Sequence, residues 1–498
     1  AKQETLAPGT NIKGSGSVTV TKGTDGVITV SETPLNPETA TLVITGKVNG
    51  TQTTAICKIR IMQKVETVVD KVLYSQKDNE LRVADYSVGK ITTAYYEDAE
   101  GTLHELNVDE NGNLTGISIT ITSAASSNYL KITAGTITVT PKQGEAIEIA
   151  CAKLTTTVGD AITLVVINES GNAYKFTNVL PATKVIDEVS ELNVTKNSEG
   201  AGYASTGEYF VLAGDIDAST TAITTSAVGS LEGSTIDGRG YSVTNLTLEN
   251  VNGIFTERIW GAGASGEVRG IVSNIALKNV TANNSSILTR AVRWAGIINS
   301  YIQINPESEG FKGLVVGAYN PNNGTYYDTA LLNGGALYVQ NTVVEYLNAE
   351  NEIKANVVAN GDSTNATLAR SQNSFFVTSS YISSYDGYAI DTMNKVHEAI
   401  AKAKEQNSEL TGAIEDYVAN SNPSAPTGWQ TYWTTSAETG LSLRYAQYFK
   451  EVNFRYSDYT EYEANATNCA SSVTALVNAS NGFFANVNGV PVWQGANA

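Results

Sequence analysis

The carboxylates able to work on a sugar lie close together in the chain. Asp215 and Asp217 sit two residues apart in GDIDAS, and Asp237 follows in STIDGRG. Glycoside cleavage needs two carboxyl groups about 5–10 Å apart, one protonated and one ionised at working pH. Residues i and i+2 of a strand share a face, so Asp215 and Asp217 meet the distance requirement. The opposing reading is architectural. Asp at a bend accepts hydrogen bonds from nearby backbone N–H groups, and no Arg, Lys or His cluster accompanies these acids. Architecture is the favoured reading for all three. A second set suits binding: Trp429, Tyr432, Trp433, Tyr456 and Tyr459, in a stretch that also holds Tyr445, Tyr448, Phe449, Phe454 and Tyr462. Flat rings with a polar edge stack on sugars and favour interfaces. The spacings of three and four in Tyr445/Tyr448/Phe449 and Tyr456/Tyr459 equally fit the buried face of a helix.

Composition excludes most other chemistry. The 498 residues include two His (His104 and His397) and three widely separated Cys (Cys57, Cys151 and Cys469). Triads, a disulfide framework and zinc sites are therefore not expected. Cys57 in TAICKIRI and Cys151 in IEIACAKL take apolar slots of strand-like runs. The turn Asp109–Asn113 alternates Asp and Asn as calcium loops do. Counted from Asp109, however, the sixth and twelfth positions, where such a loop needs Gly and an acid, hold Leu114 and Thr120. A hairpin turn is expected there instead. Lys+Arg is 32 against Asp+Glu 50, a net charge of -18, which repels a phosphate backbone. Nucleic acid, metal and cofactor are thus not expected, and no apolar run is long enough for membrane insertion.

The positioning elements read as short strands. SVTVTK, GVITVS, ATLVITGKVNG and AICKIRI alternate Val or Ile with Thr, and Thr41–Val48 pairs with Thr54–Ile61 through an Asn-Gly turn. This block resembles the bacterial immunoglobulin-like modules found in tandem on surface proteins and some phage structural proteins, with its first strands missing. A second strand-rich block from Val65 to about Lys175 (ELRVADYSV, KITTAYYED, LHELNVD, GISITIT, YLKITAGTITVTP, AIEIACAKL) predicts another sandwich.

From about Glu188 the texture changes to short strands bounded by small or Asn residues, recurring every 20 to 40 residues. That is the signature of a solenoid, in which each coil buries its apolar face on the next. YFVLAGDIDAS, TIDGRGYSVTNLTLENVNGIF and VSNIALKNVTA resemble the opening rungs of right-handed parallel β-helices with GLUG-type repeats. Gly253-Ile254-Phe255 and Val272-Ser273-Asn274-Ile275 stand at the repeat positions. NASNGFFANVNGVPVWQG resembles the closing strands of such helices. Between them, Asp391–Ala419 has Met393, Val396, Ile400, Ala403, Leu410, Ile414 and Tyr417 at helical spacing.

The predicted fold is mostly β: a partial immunoglobulin-like module (1–64), a second sandwich and linker (65–182) and a parallel β-helix (183–390). A helical, aromatic-rich insertion or cap (391–468) and closing strands (469–498) complete it. The resemblance implies a secreted protein of a bacterial cell surface or virion exterior, structural or adhesive, presenting the β-helix to a glycan, to a surface protein or to its own copies. The alternatives are a glycan-depolymerising tailspike or surface hydrolase, and a self-assembling lattice or filament subunit. The start at Ala1, without Met or an apolar leader, predicts a removed leader or an internal starting point.

Overall fold

The computed structural model describes residues 20–22, 28–30, 38–48, 51–61, 65–70, 72–82, 88–126, 129–151, 162–196, 202, 204–261, 270–320, 325–327, 337–346, 369–372, 374–378, 384–385, 388–389, 433–436, 440–443, 448–455, 458–463, 466–487 and 490–495. The protein is mostly β. It divides into two compact units, residues 1–118, 136–151 and 158–181 in one, and 119–135, 152–157 and 182–498 in the other.

In the first unit, Glu38–Val48 and Thr51–Ile61 form the expected hairpin, in register from Glu38↔Ile61 to Val48↔Thr51. The main sheet runs in the order Leu114–Thr115, Leu103–Val108, Ile91–Glu97, Ile162–Asn168, Ala173–Ala182, Leu73–Ser75 and Glu80–Arg82. Its central strand, Ile162–Asn168, escaped the sequence reading. Leu164 and Val166 are buried, and so are Val165 and Ile167 on the other face. A strand covered on both faces reads as a continuous apolar run rather than an alternation. The turn at Asp109 is a hairpin turn as expected: its Oδ1 accepts from the backbone N–H groups of Asn111 and Asn113, both at 2.8 Å.

The second unit is a parallel β solenoid with three walls. Wall A stacks Lys184–Ile186, Tyr209–Leu212, Thr235–Asp237, Gly270–Ser273, Ala295–Ile298, Leu337–Gln340 and Ala369–Gln372. Wall B stacks Ala204–Thr206, Ser230–Glu232, Arg258–Trp260, Thr289–Arg293 and Val315–Asn320; wall C stacks Ile216–Asp217, Ser242–Thr244, Ala276–Asn283, Tyr301–Ile304, Val343–Tyr346 and Phe375–Thr378. Each coil passes through B, A and C in turn, and these neighbours all pair in parallel. Phe210, Ile236, Val272, Ile297 and Val339 point inward from wall A, Leu231, Ile259 and Val292 from wall B, and Val243, Leu277, Ile302 and Val344 from wall C. Together they make one continuous core. Burying each such side chain contributes roughly 1.5–3 kcal/mol of gross hydrophobic stabilisation.

One expectation is corrected toward the C-terminus. The spacings around Tyr448 and Tyr459 suggested a helix, but Tyr448–Arg455 and Asp458–Glu463 form an antiparallel hairpin that joins the last strand of wall C. There the edge's unpaired N–H and C=O groups find partners. The described residues of the stretch read as closing strands hold one pair of strands with a helix ahead of it. Ala466–Ala479 is a helix, followed by the antiparallel hairpin Phe484–Val487/Val490–Trp493. Helix and hairpin pack Val473, Leu476, Phe483 and Phe484 on Val343 of wall C, with Trp493 stacked on Phe483 at 5.3 Å. The protein therefore does carry a small helical and aromatic cap, built from 466–495. The helical stripe expected at Asp391–Ala419 lies outside the described residues. No described helix is long and apolar enough to cross a membrane.

Candidate functional site

Each of the three candidate acids is bonded between or within coils. Asp215 Oδ1 accepts from the backbone N–H of Ser242 at 2.7 Å and from its hydroxyl at 2.8 Å, tying one coil to the next. Asp217 accepts from the Ser219 N–H and from Asn245 Nδ2, both at 3.0 Å. Those bonds, Asn245 first, hold its carboxyl below the usual range. Asp237 is buried; it accepts from Tyr209 Oη at 2.7 Å, Arg239 N–H at 2.8 Å and Asn274 Nδ2 at 2.9 Å. Burial pushes its pKa up against the pull of those bonds.

Asp217 and Asp237 each begin a ladder. At the corner between walls A and C, Asn274 donates to Asp237, Asn299 to Asn274 at 3.1 Å, and Asn341 to Asn299 at 3.0 Å. At a corner within wall C, Asn245 donates to Asp217, Asn279 to Asn245 at 2.9 Å, and Asn305 to Asn279 at 2.8 Å. Asn274, Asn299 and Asn341 adopt φ of 53°, 48° and 48°, the left-handed bend that Asn tolerates better than most residues. The two carboxylates with opposite pKa shifts thus belong to different corners, and one is closed to solvent.

Of the aromatic candidates, Trp433 lies on the strand Trp433–Ser436 and Tyr459 on Asp458–Glu463. Trp429, Tyr432 and Tyr456 fall outside the described residues.

Wall B carries a group that the sequence reading passed over. Leu231, Ile259 and Val292 point inward, so their register neighbours Glu232, Trp260 and Arg293 point outward on three successive coils. Strand spacing puts the row at about 10 Å from end to end. Burial pushes the Glu232 carboxyl above its ordinary value. Arg258 shares the wall, and Arg290 pairs with Glu257 at 3.6 Å. Arg258, Trp260 and Arg293 of a chain with net charge -18 therefore share the outer face of this wall.

The residue after Arg293 is Trp294, and its backbone is unusual. It turns the corner from wall B to wall A with φ 52°, where earlier coils use Gly207 (φ 64°) and Gly233 (φ 56°). Of twelve non-glycine residues with positive φ among the described residues, ten are Asn; the others are Arg239 and Trp294. A left-handed conformation costs a residue with a Cβ roughly 1–2 kcal/mol. The Trp294 ring lies under the Arg293 guanidinium, 4.1 Å from its centroid. The sequence signal was the pair ERIWG and VRWAG, each with Arg within two residues of Trp.

No family model, curated protein or solved structure matches the chain.

Proposed function

We propose that this protein is a non-enzymatic adhesive scaffold of a cell surface or virion exterior. Immunoglobulin-like modules in the first unit act as spacers and the solenoid presents a long, stiff binding wall. The observation that carries the reading is the use of the candidate carboxylates. Asp215, Asp217 and Asp237 are all engaged in holding bends and coils. A hydrolase needs one carboxyl in reach of a glycosidic oxygen and a second in reach of the anomeric carbon. Buried Asp237, with both oxygens accepting hydrogen bonds, is badly placed for either. A solenoid braced at its corners suits binding, because a preorganised surface loses little freedom when it is occupied.

The test is a glycan array run beside a reducing-end release assay, on the wild type and on Asp215→Asn/Asp217→Asn. Binding without release, unchanged in the double variant, is expected. Release of reducing ends that the double variant abolishes overturns the reading in favour of a depolymerase. A concentration-dependent ladder of oligomers in native mass spectrometry, with no glycan bound, overturns it in favour of a lattice subunit.

A further inference from the structure

Eight Asn-Gly pairs occur in the chain, and three of them lie within the described residues: Asn111-Gly112, Asn252-Gly253 and Asn481-Gly482. Such a pair has an intrinsic chemistry. With no Cβ on the glycine, its backbone nitrogen can reach the side-chain carbon of the preceding Asn. Once that nitrogen gives up its proton to solvent base it attacks Cγ, the bond from Cγ to Nδ2 breaks, and ammonia leaves. Water then opens the succinimide ring at either carbonyl, giving aspartate or isoaspartate. No electron is transferred. What the step needs is a glycine N–H that is not already donating and an Asn side chain able to turn.

The fold separates the three pairs on these two criteria. The Gly112 N–H donates to the Asp109 carbonyl at 3.1 Å, and the Asn111 N–H to Asp109 Oδ1 at 2.8 Å. The Gly253 N–H donates to the Ser286 carbonyl on the next coil at 3.1 Å, and half-buried Asn252 is tied through its N–H to Ser226 Oγ at 2.8 Å. Asn481 and Gly482 are both exposed, and among the described residues neither the Gly482 N–H nor the Asn481 side-chain amide has a partner. Their position explains why such a pair stands there. They leave the C-terminal end of the helix Ala466–Ala479 with φ of 54° and 87°, values that Asn and Gly tolerate best.

We infer that Asn481 is a site of spontaneous succinimide formation and hydrolysis, a chemical modification that loosens the C-terminal cap. Contacts on both sides hold this joint. The Ala479 carbonyl accepts from Asn341 of the solenoid at 3.2 Å, and buried Ser480 accepts at Oγ from the Phe484 N–H at 3.2 Å. Isoaspartate runs the main chain through the former side chain and so adds one backbone atom between Ala479 and Phe484. Either product also places a carboxylate beside the last helical carbonyls, which carry partial negative charge.

The experiment ages the full chain in heavy-oxygen water, in mildly alkaline and in mildly acidic buffer, and follows each Asn-Gly pair by peptide mapping with mass spectrometry. Asn481 is expected to exchange its amide for a solvent oxygen about two- to tenfold faster than Asn111, which has a hydrogen bond to break first. The reaction should slow in acid, where the Gly482 nitrogen keeps its proton. Hydrogen exchange of residues 473–487 should rise in the aged protein while walls A and C stay protected. Asn481→Gly suits the positive φ and has no amide to lose, so it should age without that rise. Loss of the Asn481 amide no faster than that of Asn111, or equally fast in acid, overturns the site. Conversion at Asn481 with cap exchange unchanged, or an equal rise in Asn481→Gly, overturns its effect on the cap.

Discussion

Asn341 donates from Nδ2 to the carbonyl of Ala479, 138 residues further along the chain, at 3.2 Å. The same amide group donates to Asn299 in the coil below. The buried ladder therefore continues into the end of the C-terminal helix, whose last carbonyls lack partners within the helix. The cap is registered on the solenoid by a hydrogen bond as well as by the packing of Phe484 and Leu476.

Replacing Asn341 by Ala leaves Asn299 Oδ1 and the Ala479 carbonyl without this donor and forces alanine into φ 48°. The expected loss is about 2–4 kcal/mol from one or two unmet buried groups plus the backbone cost. Urea denaturation measures it. Asn341→Gly should recover only the backbone share, so a glycine variant as stable as wild type would show that the amide contributes nothing.

Asp237 gives a pH effect of definite sign. Its folded pKa lies above the unfolded value, so the folded state holds a proton that the unfolded chain has already released. This contribution is fully present below the unfolded pKa of about 3.9 and is lost as pH rises through the folded value. Asp237→Asn extends the Asn ladder by one rung and removes the buried charge. It should melt higher than wild type at pH 8, with the difference shrinking toward pH 4. Differential scanning calorimetry across that range decides the matter.

Asp109 works in the opposite direction. Bonds from Asn113 chiefly, and from the Asn111 and Gly112 N–H groups, lower its pKa. Its contribution is present above about pH 4 and lost as pH falls through the folded value. Asp109→Asn should therefore show a smaller drop in urea midpoint between pH 5 and pH 2 than wild type does. Equal drops would remove Asp109 from the acid response.

Gly112 and Gly101 close two similar hairpin turns with φ of 88° and 78°. A Cβ at Gly112 would lie 2.7 Å from Lys90 Cγ and 3.0 Å from the backbone N of Ile91, whereas one at Gly101 meets nothing within 4 Å. Gly101→Ala should cost only the conformational share, about 1 kcal/mol. Gly112→Ala should cost about 2–3 kcal/mol, since the Ile91 backbone must shift as well. Thermal melts of the pair report the difference, and equal costs would mean that Lys90 and Ile91 give way freely.

Local features of the chain were readable wherever a few neighbouring residues set the outcome. Val-Thr alternation and Asn-Gly placed the Glu38–Ile61 hairpin. Asp109 with Gly112 placed a turn, and Asn274, Asn299 and Asn341 marked the bends after three of the wall A strands. Those signals reflect backbone preferences that act within four or five residues. The helix Ala466–Ala479 was not legible, because its Ala, Ser, Thr and Asn form only a weak apolar stripe. It is held by Val343 and by Asn341, which are distant in sequence.

By itself, then, the sequence determined the strand character, the bends and a solenoid with a broad, irregular repeat. The tertiary structure alone decided which residues share a corner or a face. Successive ladder rungs are separated by 37, 25 and 42 residues, so the loop lengths vary while the wall strands stay in register. Parallel pairing conserves the vertical neighbour and not the sequence interval. For that reason Asp217 and Asp237 part to separate ladders, and Trp260 and Arg293 meet on one wall.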